Sequence, residues 1–117
     1  MKITELRPFA KKVDLTVKAV SKNEPREVTS KLHNSVHKVT EALVGDESGT
    51  VLLTLWDDTI GQVEVGKVYK ISNGYTSLFK NSLRLNIGRY GKIEESTEKI
   101  EEVTEENNLS EKELSTN

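Results

Sequence analysis

Apolar and polar residues alternate with period two along several stretches of this chain, the spacing of strands that bury one face and expose the other. The first is Lys12–Val20, where Val13, Leu15, Val17 and Ala19 share a face and alternate with Asp14, Thr16, Lys18 and Val20. A second strand, Lys38–Val44, leads into Gly45-Asp46-Glu47-Ser48-Gly49, a compact turn bounded by glycines. The third strand, residues 50–56, follows directly, so strands two and three form an antiparallel hairpin. Val51, Leu53 and Leu55 face its core side, and Leu52, Thr54 and Trp56 face outward. Only about ten residues lead to the fourth strand, Lys67–Tyr75, too few for a crossover helix longer than one turn. In the last strand Leu83, Leu85 and Ile87 face in, while Arg84, Asn86 and Gly88 face out.

The fourth strand poses a parity question. Tyr69 and Ile71 read as core, and strict alternation puts Asn73 and Tyr75 on the same face. An outward Tyr75 requires a change of parity, and Asn73-Gly74 is where a bulge would supply it. The loop Thr76–Ser82, carrying Phe79 and Lys80, returns the chain to the Arg84 strand. At the other end of the chain Pro8 argues against a long helix, so residues 1–12 read as a lead-in whose Ile3, Leu6 and Phe9 cap one end of a barrel. Residues 21–37 are polar and broken by Pro25, a loop or loose hairpin. Five short strands, a central hairpin and no substantial helix predict a small all-β barrel. The pattern alone does not separate an OB barrel from an SH3-like one.

Charge divides the chain in two. Residues 92–117 hold nine Glu against three Lys, a net of −6, and residues 1–91 carry a net of +4, which the overall −2 conceals. The expected organisation is one folded, mildly basic domain over residues 1–91 followed by an acidic, disordered tail from Lys92. The tail is read either as a partner-binding or self-shielding segment or as a solubilising extension. Modest basicity suits a single strand held partly by stacking better than a duplex wrapped by charge alone. The chain has no cysteine, which removes disulfides and cysteine-based metal sites. No apolar run approaches the length that spans a bilayer, and the start lacks the apolar segment of a signal peptide. The expectation is a soluble, cytoplasmic protein.

The chemistry concentrates late in the chain. Trp56, Tyr69, Tyr75, Phe79 and Tyr90 are five of its six aromatic rings, and only Phe9 lies elsewhere. Any single ring is more often core than ligand platform. Trp56, Tyr75 and Phe79 beside Lys80, Arg84 and Asn86 read instead as a stacking platform with hydrogen-bond donors and positive charge. His33 and His37 have helical metal-ligand spacing but sit in a polar loop with no supporting ligand, and are read as surface residues. Asp57 and Asp58 are read as the start of a turn. No nucleophile–base pair or phosphate-cradling glycine loop appears, so neither an enzyme nor a cofactor is expected.

Two strings carry a resemblance to a known family. Ala42–Trp56, of the form AxVGDESGxVxLTLW, and Gly74–Arg89, GYTSLFKNSLRLNIGR, are similar to the simple single-OB-fold single-stranded DNA-binding proteins of archaeal type and to their eukaryotic single-OB relatives. The likeness covers residues 3–92 and is strongest from 39 to 89. It implies a five-stranded OB-fold Greek-key barrel that binds single-stranded DNA with little sequence preference, as a monomer, in replication, repair or recombination. The matching expectations are a nucleoid-associated protein when DNA is bound, with the tail as a site for other DNA-processing proteins. It also implies that bases stack on Trp56, Tyr75 and Phe79, with Tyr75 outward. Thr54, Arg84 and Asn86 then line the groove between the rings, and Lys80, Arg26 and Lys31 screen phosphates. Asn86 stands where some relatives carry a further aromatic, so that platform is absent here. An RNA-binding OB module, and a protein-interaction subunit of a replication protein A-like complex, are the alternatives.

Overall fold

The computed structural model describes residues 1–32 and 34–111. Among them are seven strands: β1 (Val13–Lys22), β2 (Arg26–Ser30), β3 (Ser35–Asp46), β4 (Gly49–Trp56), β5 (Val68–Phe79), β6 (Ser82–Asn86) and β7 (Lys92–Glu95). A 3-10 helix, Ile3–Glu5, precedes β1, and a five-residue helix, α1 (Asp58–Gln62), lies between β4 and β5. No helix among the described residues is long and apolar enough to cross a membrane.

Five of the strands close on themselves. β1 pairs with β3, β3 with β4, β4 in parallel with β6, β6 with β5, and β5 again with β1. This is the connectivity of an OB barrel, with the one short helix where an OB fold places it. β1 serves two neighbours because it bends. Its first half pairs with β5 and its second with β3, with a register shift between Ala19 and Ser21 where the strand turns the corner.

The alternating residues fill the interior as the sequence pattern predicts. Val13, Leu15, Val17 and Ala19, then Val51, Leu53 and Leu55, then Leu83 and Leu85 are all buried, joined by Tyr69 and Ile71. Each fully buried Leu, Ile or Val contributes about 1.5–3 kcal/mol relative to exposure. Ile3 and Leu6 cap one end of the barrel, as expected, but Phe9 does not. It is 70% exposed and its backbone is left-handed (φ 59°), which turns the chain away from the core after Pro8.

Three boundaries differ from the sequence-based reading. Residues 26–30 form β2, a hairpin with an N-terminal extension of β3 that starts at Ser35 rather than Lys38. The region expected as loop Thr76–Ser82 is mostly strand. β5 runs on to Phe79, and only Lys80 and Asn81, both with positive φ, make the turn into β6. The acidic segment also differs over its described part. Residues 92–95 pair with β5 as β7, and residues 103–111 lie along β4.

The physical reason is pairing with residues far away in sequence, which composition does not reveal. Thr50 donates its N–H to the Asn107 carbonyl (3.0 Å) and accepts the Leu109 N–H (2.9 Å). The buried Ser110 hydroxyl accepts the Leu52 N–H (2.8 Å) and donates to the Leu83 carbonyl (2.5 Å), while Leu109 packs on the core. Residues 112–117 lie outside the described residues.

The glycine-bounded turn is a compact device. Asp46 is buried, and its carboxylate accepts the Ser48 N–H (2.8 Å), the Ser48 hydroxyl (2.5 Å) and the Ile3 N–H (3.1 Å). One carboxylate thereby fixes the β3–β4 turn and pins the lead-in against it.

Candidate nucleic-acid interface

The outer face of β3, β4, β6 and β5 can be read row by row from the pairing register. Glu41 lies opposite Thr54, Thr54 opposite Asn86, and Asn86 opposite Tyr75. One row on, Leu52 is opposite Arg84 and Arg84 opposite Ser77. Trp56 ends β4, and Phe79 ends β5 opposite Ser82. The rings are thus at three corners of one sheet face. Trp56, Tyr75 and Phe79 are 48%, 42% and 53% exposed, far more than a core ring such as Tyr69 at 4%. Four residues of strand place Tyr75 and Phe79 about 13 Å apart, too far to stack on each other and each with a face open to a ligand.

Tyr75 faces outward because β5 carries a bulge. Val13 pairs with Gly74 but Leu15 with Ile71, so β5 uses one residue more than β1 across the same span, and Asn73 there adopts φ 54°. Before the bulge Tyr69 and Ile71 are buried; after it Gly74 and Thr76 are buried, and Tyr75, Ser77 and Phe79 share the outer face. The Asp14 carboxylate accepts the Asn73 N–H (2.7 Å) and holds the extra residue. Gly88 backs the Tyr75 ring. Its φ is 77°, and a Cβ there would lie 2.7 Å from the ring's Cε1, so only glycine lets Tyr75 rest where it does.

A groove of about 380 Å³ gathers Trp56, Tyr75, Phe79, Thr54, Arg84 and Asn86, with Arg26, into one site. Asn86, in the groove lining, donates through Nδ2 to the Ser77 hydroxyl (2.9 Å). The Arg84 guanidinium lies 5.3 Å from the Phe79 ring centre, in cation–π range, and its Nε donates to the Ser82 hydroxyl (3.2 Å). Lys80 is outside the groove lining, but its ammonium lies 5.6 Å from the centre of the same Phe79 ring. Lys31 is exposed in the β2–β3 turn and does not line the groove.

Sequence reasoning missed Glu41. Its carboxylate accepts from Arg84 (3.3 Å) with one oxygen and from Arg26 (2.9 Å) with the other. An acid therefore stands in the middle of the basic groove and ties both of its arginines. The signal was present, since alternation across Val39-Thr40-Glu41-Ala42 sets Glu41 opposite in facing to the buried Thr40 and Ala42.

Asp57 proves to be a clasp as well as a turn residue. It donates its N–H to the Lys38 carbonyl (2.9 Å), and its carboxylate accepts the Lys38 N–H (2.9 Å) and meets His37 Nδ1 at 2.8 Å. The Lys38 N–H, and then His37, hold the Asp57 carboxyl below its ordinary range. The residue after Trp56 is thereby fixed to β3. No cluster of three or more metal-ligating side chains occurs among the described residues, and His33 lies outside them.

Comparison with known proteins bears on the same region. The family described as single-stranded DNA binding protein Ssb-like, OB fold, matches residues 6–95. The single-stranded DNA binding protein Ssb of Saccharolobus solfataricus is 40% identical over 97 residues, covering 83% of this chain. The chain spans 64% of that relative's length. The solution structure of a hypothetical protein of Arabidopsis thaliana is 29% identical with a TM-score of 0.85, covering 100% of this chain and 86% of that one. The second OB-fold domain of replication protein A from Methanococcus maripaludis shares the fold at 20% identity (TM-score 0.67, covering 86% of this chain and 98% of that domain).

Proposed function

The chain belongs to the family of Ssb-like single-stranded DNA binding proteins of OB fold, and from that premise we propose that it binds single-stranded DNA along the groove between Trp56, Tyr75 and Phe79, largely without regard to sequence. The observation that carries the reading is the exposure of three rings on one sheet face, two of them turned outward by a single bulge. A ring left half in water forgoes its burial energy, and a base stacked on it recovers part of that for any of the four bases, since each has a π-face. Thr54 and Asn86 between the rings offer donors and acceptors, and Arg84 with Lys80 places positive charge around Phe79 for the phosphates. The role is protection of exposed strand during replication, repair or recombination, by binding and not by catalysis.

Tyr75→Ala and Phe79→Ala test the proposal. Each removes one platform from the surface, so the fold persists while oligo-dT affinity falls by about 1–3 kcal/mol per lost stack. Affinities within twofold of the parent for both variants would sink it. Competition between matched DNA and RNA oligomers separates a DNA binder from an RNA-binding module of the same shape.

A further inference from the structure

Tyr75 is not the end of the exposed aromatic surface. It also lines a second hollow, about 550 Å³, whose walls include Phe9, Lys11, Lys12, Arg89 and Tyr90. A recess of about 260 Å³, lined by Trp56, Tyr75 and Arg89 among others, shares residues with this hollow and with the groove. The three hollows adjoin through Tyr75, so exposed surface links Phe79 and Trp56 with the lead-in segment.

Phe9 and Tyr90 are the two most exposed rings of the protein, at 70% and 78%. Both are held in place by the strand that carries Tyr75. Ala10 donates its N–H to the Thr76 hydroxyl (2.7 Å), Thr76 returns its own N–H to the Ala10 carbonyl (3.0 Å), and the Thr76 hydroxyl donates to the Arg7 carbonyl (2.5 Å). On the other side Asn73, at the bulge, donates through Nδ2 to the Tyr90 carbonyl (3.3 Å). Two rings are thus tethered to β5 on either flank of the bulge and left in water.

The charge of this hollow differs from that of the groove. Lys11, Lys12 and Arg89 line it, no lining residue is acidic, and none of the three makes an ion pair among the described residues. In the groove both arginines are tied to Glu41. Three cations without an ion-pair partner among the described residues thus lie beside Phe9 and Tyr90, where the Arg89 guanidinium also sits 5.8 Å from the Tyr90 ring centre.

We propose that this hollow is a second station for the same DNA strand, in which further bases stack on Phe9 and Tyr90 while Lys11, Lys12 and Arg89 neutralise their phosphates. The inference rests on the single-stranded DNA reading and extends it. The site is longer than three rings, and its outer part supplies most of the salt-dependent share of affinity.

The test is a length series of oligo-dT, about 4 to 16 nucleotides, followed by quenching of Trp56, which does not line the second hollow. The parent gains affinity as the oligomer becomes long enough to reach the second station. In Phe9→Ala/Tyr90→Ala that gain is lost, about 5- to 150-fold for each base stack removed, while the shortest oligomers that bind do so as in the parent. In Lys11→Gln/Lys12→Gln/Arg89→Gln the salt dependence with long oligomers becomes shallower by about 0.7 per lost contact. A parent-like length series in the ring variant overturns the proposal and leaves the hollow to another occupant, such as a protein. An equal loss at every length overturns it too, since the rings would then act through the groove. Failure of the parent to bind any oligomer is a separate result and removes the DNA reading itself.

Discussion

Glu41→Gln is the most informative single change in the groove. Glu41 is nearly buried on the outer face of β3, its side chain 12% exposed, and holds Arg26 and Arg84 with one carboxylate oxygen each. Gln keeps the size and one acceptor but removes the charge, so both guanidiniums become available to phosphates. On a single strand each new contact steepens the salt dependence by about 0.7 in the log–log slope. Over a fourfold salt change, 50 to 200 mM, that is about 2.6-fold in affinity per arginine and about sevenfold for the two. The variant therefore binds oligo-dT more tightly than the parent at 50 mM, and the advantage shrinks by that factor at 200 mM. The structural cost is about 1.5–3 kcal/mol, because one guanidinium loses a charge-assisted hydrogen bond and the other keeps only a neutral acceptor, and a thermal melt checks it. Parallel salt plots with equal affinities would refute the argument, because they would mean the arginines face no phosphate. Weaker binding at both salts would refute it differently, by showing that Glu41 is needed to hold Arg84 at Phe79.

Two further outcomes follow from the surroundings of the site. Gly88→Ala places a Cβ 2.7 Å from the Tyr75 ring at a left-handed backbone position, so it costs about 1–2 kcal/mol of stability and displaces the ring; oligo-dT affinity should fall toward that of Tyr75→Ala, and unchanged affinity would show that Tyr75 is not positioned by Gly88. Ser110→Ala leaves the Leu52 N–H and the Leu83 carbonyl without their bridge; urea denaturation should show a loss of about 1–3 kcal/mol with DNA affinity intact, and parent-like stability would mean that residues 103–111 add nothing to the barrel.

What could be read from the chain depended on where its information lies. The faces of β1, β4 and β6 follow from alternation alone, because Val13 to Ala19, Val51 to Leu55 and Leu83 to Leu85 have no other periodic solution. Asn73-Gly74 stood out as the place where a bulge would fit, but alternation does not require one there, since the extra residue shows only against the register of β1. β2 and β7 escaped because Arg26–Ser30 and Lys92–Glu95 lack the apolar alternation of a half-buried strand; β2 is one arm of a polar hairpin with the adjacent β3, and β7 is an edge strand whose pairing comes from β5, well back in the chain. Ser110 escaped for a related reason, as its contacts are with Leu52 and Leu83, far away in sequence. In the groove the rings were legible as a group, while Glu41 was hidden by being a common residue on an outer face. Apolar character places Phe9 with Ile3 and Leu6 at the barrel end, and its left-handed backbone turns it away.

Base stacking on the exposed sheet face can be followed through Trp56, the one tryptophan in the chain. Titration with oligo-dT should quench Trp56 strongly and saturably, because a base stacked on a ring that is half exposed when free removes it from water. The quenching should weaken only moderately with salt, since stacking carries much of the affinity. Trp56 emission that stays unchanged at micromolar protein and saturating oligomer would contradict the account, and would turn this sheet face from a DNA platform into a surface for a protein.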